Sequence, residues 1–141
     1  ASTTTTALDT KHPLIPKGNY SGIVEKLTAS TWNSEDGSKS NIILEILWLV
    51  EDEPLKQLMG RESISAKQTL FLDMTSDGQL DVSAGKNVGL GRLRESLGLN
   101  SPGQPFSFDM LPGRQAWIEI GHKASKKDGE IFHQIDRTAK M

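Results

Sequence analysis

The chain has 141 residues, with 16 lysines and arginines against 18 aspartates and glutamates, and it contains no cysteine. This length suits a single domain that buries a sizeable core. The lack of cysteine excludes disulfides, thiolate metal sites and cysteine nucleophiles, and a net charge of -2 argues against binding nucleic acid through overall charge alone. A local basic groove stays compatible with that charge, because salt at 0.1 M screens charges over about 10 Å.

The N-terminal stretch differs from the rest of the chain. Residues 1–12 are rich in threonine and nearly free of large apolar side chains, which predicts a flexible Thr-rich arm before a single domain at residues 13–141. The stretch contains no apolar segment of signal-peptide type, and the longest apolar run in the sequence is too short to span a bilayer. We therefore expect a cytoplasmic protein that has no membrane partner.

A first strand is predicted from Gly18 to Thr28, with Tyr20, Gly22 and Val24 on one face. The pattern does not decide which face points inward, and a bulge near Gly22 would exchange the two faces partway along the strand. A polar loop from Ala29 to Ser40 follows, and it contains one tryptophan, Trp32. Two interpretations of this ring are open: it folds back onto the core, or it forms a platform on which a flat ligand stacks.

The longest apolar run, from Asn41 to Val50, predicts the central strand of a small β-domain. Successive side chains of a strand point to opposite faces. We expect one face of this strand to lie inward, and it carries Ile42, Leu44, Ile46 and Trp48.

A short helical turn closed by Gly60 is predicted next, followed by a third strand from Arg61 to Met74. One face of this strand is largely apolar and is expected to point inward, with Ile64, Ala66, Gln68, Leu70 and Leu72. The opposite face combines Lys67 and Phe71 with small hydroxyl side chains. Such a face could receive a base and a phosphate, although an exposed phenylalanine is also ordinary on protein surfaces.

One convincing helix is predicted, from Lys86 to Leu99, with Asn87 as its N-cap and leucines recurring at helical spacing. The glycines around its start do not form a phosphate-binding loop, because no Gly-Lys-Ser or Gly-Lys-Thr sequence follows them. Gly89 and Gly91 are instead expected to let the start of the helix pack closely.

The clearest hairpin signal joins a strand at Arg114–Ala124 to a strand at Glu130–Thr138. In the first of these strands, Ala116, Ile118 and Ile120 are predicted to face inward and Trp117 outward. The tip of the hairpin carries a cluster of three lysines, Lys123, Lys126 and Lys127. The cluster is either a solvated loop or a clamp for phosphate groups.

Three strands, a helix and a hairpin, in this order, predict a mainly β fold: a five-stranded OB-fold Greek-key barrel with one helix between strands three and four. Ligands of that fold lie across strands two and three, between the loop that joins strands one and two and the loop that joins strands four and five. Here the first loop holds Trp32 and Lys39, and the second holds the three lysines of the hairpin tip.

Several short motifs add a resemblance to a known family. The motifs are Pro16-Lys17-Gly18-Asn19-Tyr20 before the first strand, Ile42-Ile43-Leu44-Glu45-Ile46, Gly60-Arg61, the helix around Leu93-Leu97-Gly98-Leu99, and Pro112-Gly113. Together they resemble phage-encoded single-stranded DNA-binding proteins of OB fold, over about residues 13–138. The resemblance implies a protein that coats single strands during phage DNA replication or recombination, in the cytoplasm of the infected cell. It also implies replication or recombination proteins as partners.

One feature departs from that family. Many single-strand binders of replication finish in an acidic tail that recruits partners, whereas this sequence finishes in Asp136-Arg137-Thr138-Ala139-Lys140-Met141. Either this recruitment is absent or the tail lies outside the sequence. Association of the protein with itself is a further open expectation.

The predicted mechanism is binding by base stacking and phosphate contacts, tolerant of base sequence and weakened by salt. The stacking candidates are aromatic residues on outward faces or in loops, namely Trp32, Phe71 and Trp117, with Tyr20 and Phe132 in reserve. The phosphate candidates are cations on the same strands and loops, namely Lys39, Arg61, Lys67, Lys123, Lys126 and Lys127.

We predict neither an enzyme nor a cofactor. His122 and His133 could meet across the hairpin, but the spacing provides no third ligand for a metal. The carboxylates form no pair whose surroundings would separate their pKa values, and no serine sits in a nucleophile elbow. The alternative function is an OB-type protein-interaction or structural module of a phage assembly, in which the outward aromatic residues contact a protein partner and oligonucleotides have no effect.

Overall fold

A computed structural model describes residues 5–7, 14–33, 35–36 and 40–141, and it leaves out the side chains of Trp32 and Ser40. Five antiparallel strands form one sheet in the order β3-β2-β1-β4-β5, namely β1 (Gly18–Asn33), β2 (Ser40–Val50), β3 (Ser65–Leu72), β4 (Gln115–Ala124) and β5 (Ile131–Ala139). Helix α1 (Glu53–Met59) joins β2 to β3, and helix α2 (Val88–Ser96) lies between β3 and β4, before a 3₁₀ turn at Phe108–Met110. Most of the predicted arm at residues 1–12 lies outside the described residues.

The mainly β class is confirmed, and so is the helix between strands three and four. The sheet is open, since no hydrogen-bonded ladder joins β3 to β5 within the described ranges, so the predicted barrel is not closed. In the same ranges, no helix is both long and apolar enough to cross a bilayer.

The centre of the sheet is β1, not the apolar run in β2 that the sequence pattern favoured. Residues 18–23 of β1 pair with β4, and residues 22–33 pair with β2. The predicted loop from Ala29 to Ser40 was therefore too long, because β1 continues to Asn33. The length of β1 lets one strand hold both halves of the sheet.

The face of β1 that points inward changes partway along the strand. Val24 is buried opposite Trp48, the register shifts between Val24 and Lys26, and Leu27 then packs against the core. A bulge inserts one extra residue into a strand, so it moves the inward face from even to odd positions. The bulge lies just beyond Gly22, close to the predicted place.

Gly22 is required by packing. A Cβ atom at this position would lie 2.9 Å from the ring of Trp48 and 3.0 Å from Cδ1 of Ile118. These distances are too short for a side chain, so a glycine is needed where β1 crosses the core.

The predicted inward faces of β2 and β4 are confirmed. Leu44, Ile46 and Trp48 are buried in β2, while Ile42 is half-buried, and β4 buries Ala116, Ile118 and Ile120. Trp48 is a core residue as predicted, and its indole N–H donates to Oε1 of Gln68 at 3.0 Å. Burial of this apolar face is the main favourable contribution to folding.

The short helical turn predicted before Gly60 is confirmed as α1. Asp52 caps its start, because Oδ1 of Asp52 accepts from the amide of Leu55 at 2.8 Å. Gly60 ends the helix with a left-handed backbone at φ 64°, a conformation that glycine adopts without strain.

Helix α2 buries Leu90 and Leu93, and Leu97 is buried directly after its last residue, but the predicted cap was wrong. Asn87 precedes the helix with φ 52° and makes no side-chain capping bond. Its side chain instead accepts from the amide of Asp73 at 2.7 Å and donates to the carbonyl of Asp73 at 2.8 Å. Asn87 therefore ties the start of α2 to the end of β3.

Candidate nucleic-acid interface

A groove of about 1010 Å³ runs between the two edge strands of the sheet and helix α2. Residues 67–71 of β3 form one wall, residues 132–139 of β5 and the following Lys140 form the other, and α2 contributes residues from Gly89 to Ser96. Because the sheet is open between β3 and β5, side chains of both edge strands reach the same space. We refer to this site as the β3–β5 groove.

Two aromatic rings stand in the groove. Phe71 of β3 is 62 % exposed and Phe132 of β5 is 46 % exposed. Large apolar side chains are usually buried, so two half-exposed phenylalanines beside one groove offer apolar area to a ligand.

The groove is locally basic although the chain is acidic overall. Its lining holds five cations, Lys67, Arg92, Lys123, Arg137 and Lys140, against the carboxylates of Glu95 and Asp136. The net charge of the chain is -2. Such a local excess of positive charge attracts an anion whatever the sum over the whole chain is.

Two of these cations are paired and three are available. Lys67 lies 3.6 Å from Glu45 and Arg137 lies 3.0 Å from Glu119, both at exposed positions where water competes with the pairing. Considering only residues that the structure describes, no carboxylate lies within ion-pair distance of Arg92, Lys123 or Lys140. These three side chains can therefore meet a phosphate without first losing a partner.

Polar contacts hold the walls of the groove together. The hydroxyl groups of Ser96 and Thr138 lie 2.6 Å apart and join α2 to β5. On the other side, Gly89 packs against Leu70 of β3, and a Cβ atom at Gly89 would lie 3.2 Å from that leucine. The close packing expected at Gly89 is thus observed, whereas nothing lies within 4 Å of the corresponding point at Gly91.

His133 also lines the groove and lies beside His122 in the β4–β5 ladder, with ring centroids 5.9 Å apart. Burial lowers the pKa of His133, and the neighbouring His122 lowers it further. Both Nε2 atoms contact the backbone of Ile15, at 2.7 Å from His133 and 2.6 Å from His122. Within the described part of the chain, no three His, Asp or Glu side chains cluster in a way that could hold a metal ion.

Four of the residues predicted to contact nucleic acid line the groove, namely Lys67, Phe71, Lys123 and Phe132. Trp117 is 44 % exposed but lies on β4 opposite Ser21 of β1, outside the groove. Arg61 lies beside α1 on another part of the surface.

The other residues predicted to contact nucleic acid also lie outside the groove or outside the described residues. Tyr20 packs against the core and donates its hydroxyl to the carbonyl of Pro16 at 2.7 Å, and burial followed by the charge of Asp52 raises its pKa. Lys126 and Lys127 are exposed at the tip of the hairpin and do not line the groove. Lys39 and the side chain of Trp32 lie outside the described residues, although the backbone of Trp32 pairs with Asn41.

Sequence reasoning missed Arg92, Arg137 and Lys140. It placed the ligand over strands two and three, and it gave no role to the polar side of the helix or to the end of the last strand. The signal for Arg137 and Lys140 in the sequence is the basic character of residues 137–140, which differs from an acidic tail.

Comparisons of the chain with models of protein families and with curated proteins found no match. The chemistry of the groove is therefore the basis for assigning a function. Half-exposed aromatic rings beside unpaired cations suit a ligand that carries both flat faces and repeated negative charges.

Proposed function

We propose that the protein is a sequence-tolerant single-stranded DNA-binding protein of OB fold. One observation carries the proposal: on a chain with net charge -2, the β3–β5 groove gathers two half-exposed phenylalanines and five cations against two carboxylates. Nucleic acids combine stackable bases with a phosphate at every nucleotide. The groove offers a counterpart to each.

The mechanism requires no catalysis. Bases stack on Phe71 and Phe132, while Arg92, Lys123 and Lys140 contact phosphates. Stacking on an aromatic side chain contributes about 1 to 3 kcal/mol per base, and every base has a flat face, so binding is tolerant of sequence. A duplex keeps its bases stacked inside the helix, so the phenylalanines favour single strands.

Two further features support the OB assignment and the biological setting. The strand order, the helix between strands three and four and the open join between β3 and β5 suit a partly open five-stranded OB barrel. The resemblance of residues 13–138 to phage single-strand binders supports the proposal of a role in phage DNA replication or recombination, in the cytoplasm of the infected host.

The direct test is fluorescence anisotropy with a labelled oligo-dT of about 30 nucleotides, at low salt and at about 0.3 M salt, with a duplex of equal length as control. We expect binding of the single strand, weaker binding of the duplex and a clear loss of affinity in high salt. Absence of binding to any nucleic acid would contradict the proposal and favour the protein-interaction or structural module.

A matched pair of variants then locates the site. Arg92→Gln removes a groove cation, and Arg61→Gln makes the same change at an exposed arginine beside α1. Each phosphate contact contributes about 0.7 to the slope of log K against log salt for single strands. Arg92→Gln should lower that slope by about this amount, and Arg61→Gln should leave it unchanged. The opposite result would move the site to the surface beside α1.

A further inference from the structure

The chain segment before β1 is held by two histidines. Ile15 is buried, and it belongs to residues 14–17, here called the lead-in segment. The amide of Ile15 donates to Nε2 of His133 at 2.7 Å, and its carbonyl accepts from Nε2 of His122 at 2.6 Å. His122 and His133 are cross-strand partners in β4 and β5. One residue of the lead-in segment thus has both of its backbone groups bound by neighbouring imidazoles.

These two bonds require specific protonation states. A backbone N–H only donates, so Nε2 of His133 must be free of a proton, and a neutral His133 carries its proton on Nδ1. A carbonyl oxygen only accepts, so His122 carries a proton on Nε2. Protonation of His133 would place a donor opposite the donor of Ile15 and a positive charge beside the ring of His122.

We propose that His122 and His133 form a pH-sensitive latch, which holds the lead-in segment while His133 is neutral and releases it when His133 takes up a proton. The latch depends on the contacts with Ile15 and stands independently of the proposed DNA binding.

The surroundings of His133 favour its neutral form at neutral pH. The charged groups that line the groove together with His133 are Lys67 of β3, Arg92 and Glu95 of α2, Lys123 of β4, and Asp136, Arg137 and Lys140 at the end of the chain, and His122 lies beside it on β4. Burial, and then the neighbouring His122, disfavour a charged imidazole at His133.

The direction of the pH effect follows from this environment. The pKa of His133 lies below its ordinary value of 6.5, first because of burial and then because of His122. Once the segment is released and His133 is solvated, the ring binds a proton more readily. The latch is therefore complete above about pH 6.5 and is lost as the pH falls through the lowered pKa of His133.

The test is amide hydrogen exchange of the intact chain by NMR between pH 7.5 and pH 5, corrected for the intrinsic pH dependence of exchange. Between about pH 6.5 and the lowered pKa of His133, protection of the Ile15 amide should fall by about tenfold per pH unit, and below that pKa it should level off. The amide of Ile118, in the core, should remain protected. Unchanged Ile15 protection across this range would overturn the proposal.

Two variants separate the switch from simple loss of structure. In His133→Gln the amide oxygen can accept from Ile15 but does not titrate, so protection of Ile15 should persist at low pH. His122→Gln keeps a donor for the carbonyl of Ile15 and should retain the pH dependence.

The titration of the wild-type His133 ring by NMR provides a measurement that needs no variant. Its midpoint must coincide with the midpoint for loss of Ile15 protection. Different midpoints would contradict the latch even if either variant failed to fold.

Discussion

Within the described part of the chain, two concave surfaces each carry arginine and lysine, but only the β3–β5 groove combines them with aromatic rings. The β3–β5 groove has five cations, two carboxylates and two half-exposed phenylalanines. The second surface, here called the α1 surface, is lined by Glu53, Lys56, Gln57, Gly60, Arg61 and Glu62. Among the described residues that line it, cations and carboxylates are equal in number and none is aromatic.

The two surfaces differ in how many of their cations are paired with carboxylates as much as in the number of cations. Lys56 of the α1 surface lies 3.2 Å from Glu51 and 3.7 Å from Glu53, so its charge is already partly neutralised. Arg92 and Lys123 of the groove have no such pairing within the described chain. A count of basic residues along the sequence does not separate the two surfaces, because pairing depends on what lies opposite each side chain.

The largest expected effect comes from the aromatic rings. Replacing both Phe71 and Phe132 by alanine should weaken oligo-dT binding by roughly 30-fold or more, because each stack contributes at least about 1 kcal/mol. The control is Leu58→Ala on α1, where the side chain is apolar and 73 % exposed but does not line the groove. Anisotropy titrations at one salt concentration compare the variants, and equal losses in both would mean that the groove has no special role.

A smaller effect on binding is expected from changes to the residues that fix the helices beside the two surfaces. Asn87→Gly keeps the left-handed backbone but removes the side-chain bonds to Asp73, so urea unfolding should show a loss of about 1 to 3 kcal/mol. Binding should weaken several-fold as α2 loosens from β3.

Asp52→Ala is the matched control for that change. It removes the cap of α1 and should cost about 1 kcal/mol of stability. Oligonucleotide affinity should not change, because the α1 surface takes no part in binding. If the two variants affect binding equally, the effect reflects general stability and not the wall of the groove.

The smallest expected effect is a pH dependence of binding. A phosphate backbone in the groove favours protonated His133, so binding takes up a proton and affinity should rise by a few-fold from pH 7.5 to pH 5.5. Most of the rise should occur below pH 6.5, because the pKa of His133 is lowered in the free protein. The measurement is the dissociation constant at each pH, and His133→Gln should flatten the profile. An equally steep profile in that variant would assign the effect to another group.

Local patterns of the sequence predicted the inward faces of β2 and β4 and the core leucines of α2. Trp48 illustrates why: its neighbours at alternate positions are aliphatic, and alternation alone assigns the group to one face. The bulge in β1 was foreseen only as an alternative, because a single extra residue leaves little trace in the pattern.

Asn87 shows where local reasoning failed. Its type and position suit an N-cap, but its side chain binds Asp73 and Asp81, which come from the end of β3 and the loop beyond it. The competition between a local cap and a non-local partner is decided by packing, which the local pattern does not contain. The placement of β1 in the centre of the sheet has the same cause, because a strand's second partner is not visible in its own residues.

The candidate site likewise has features that local patterns predict and features that only the tertiary structure decides. Phe71, Lys67, Phe132 and Lys123 could each be recognised as outward or exposed from the sequence, since the direction of a side chain follows from alternation along its own strand. The tertiary structure decided that these four residues share one groove with Arg92 and His133, because β3 lies close to β5 and α2 contacts both strands. Trp117 and Arg61 lie outside this groove. Both depend on contacts between residues far apart in the chain, and for that reason no local pattern contains them.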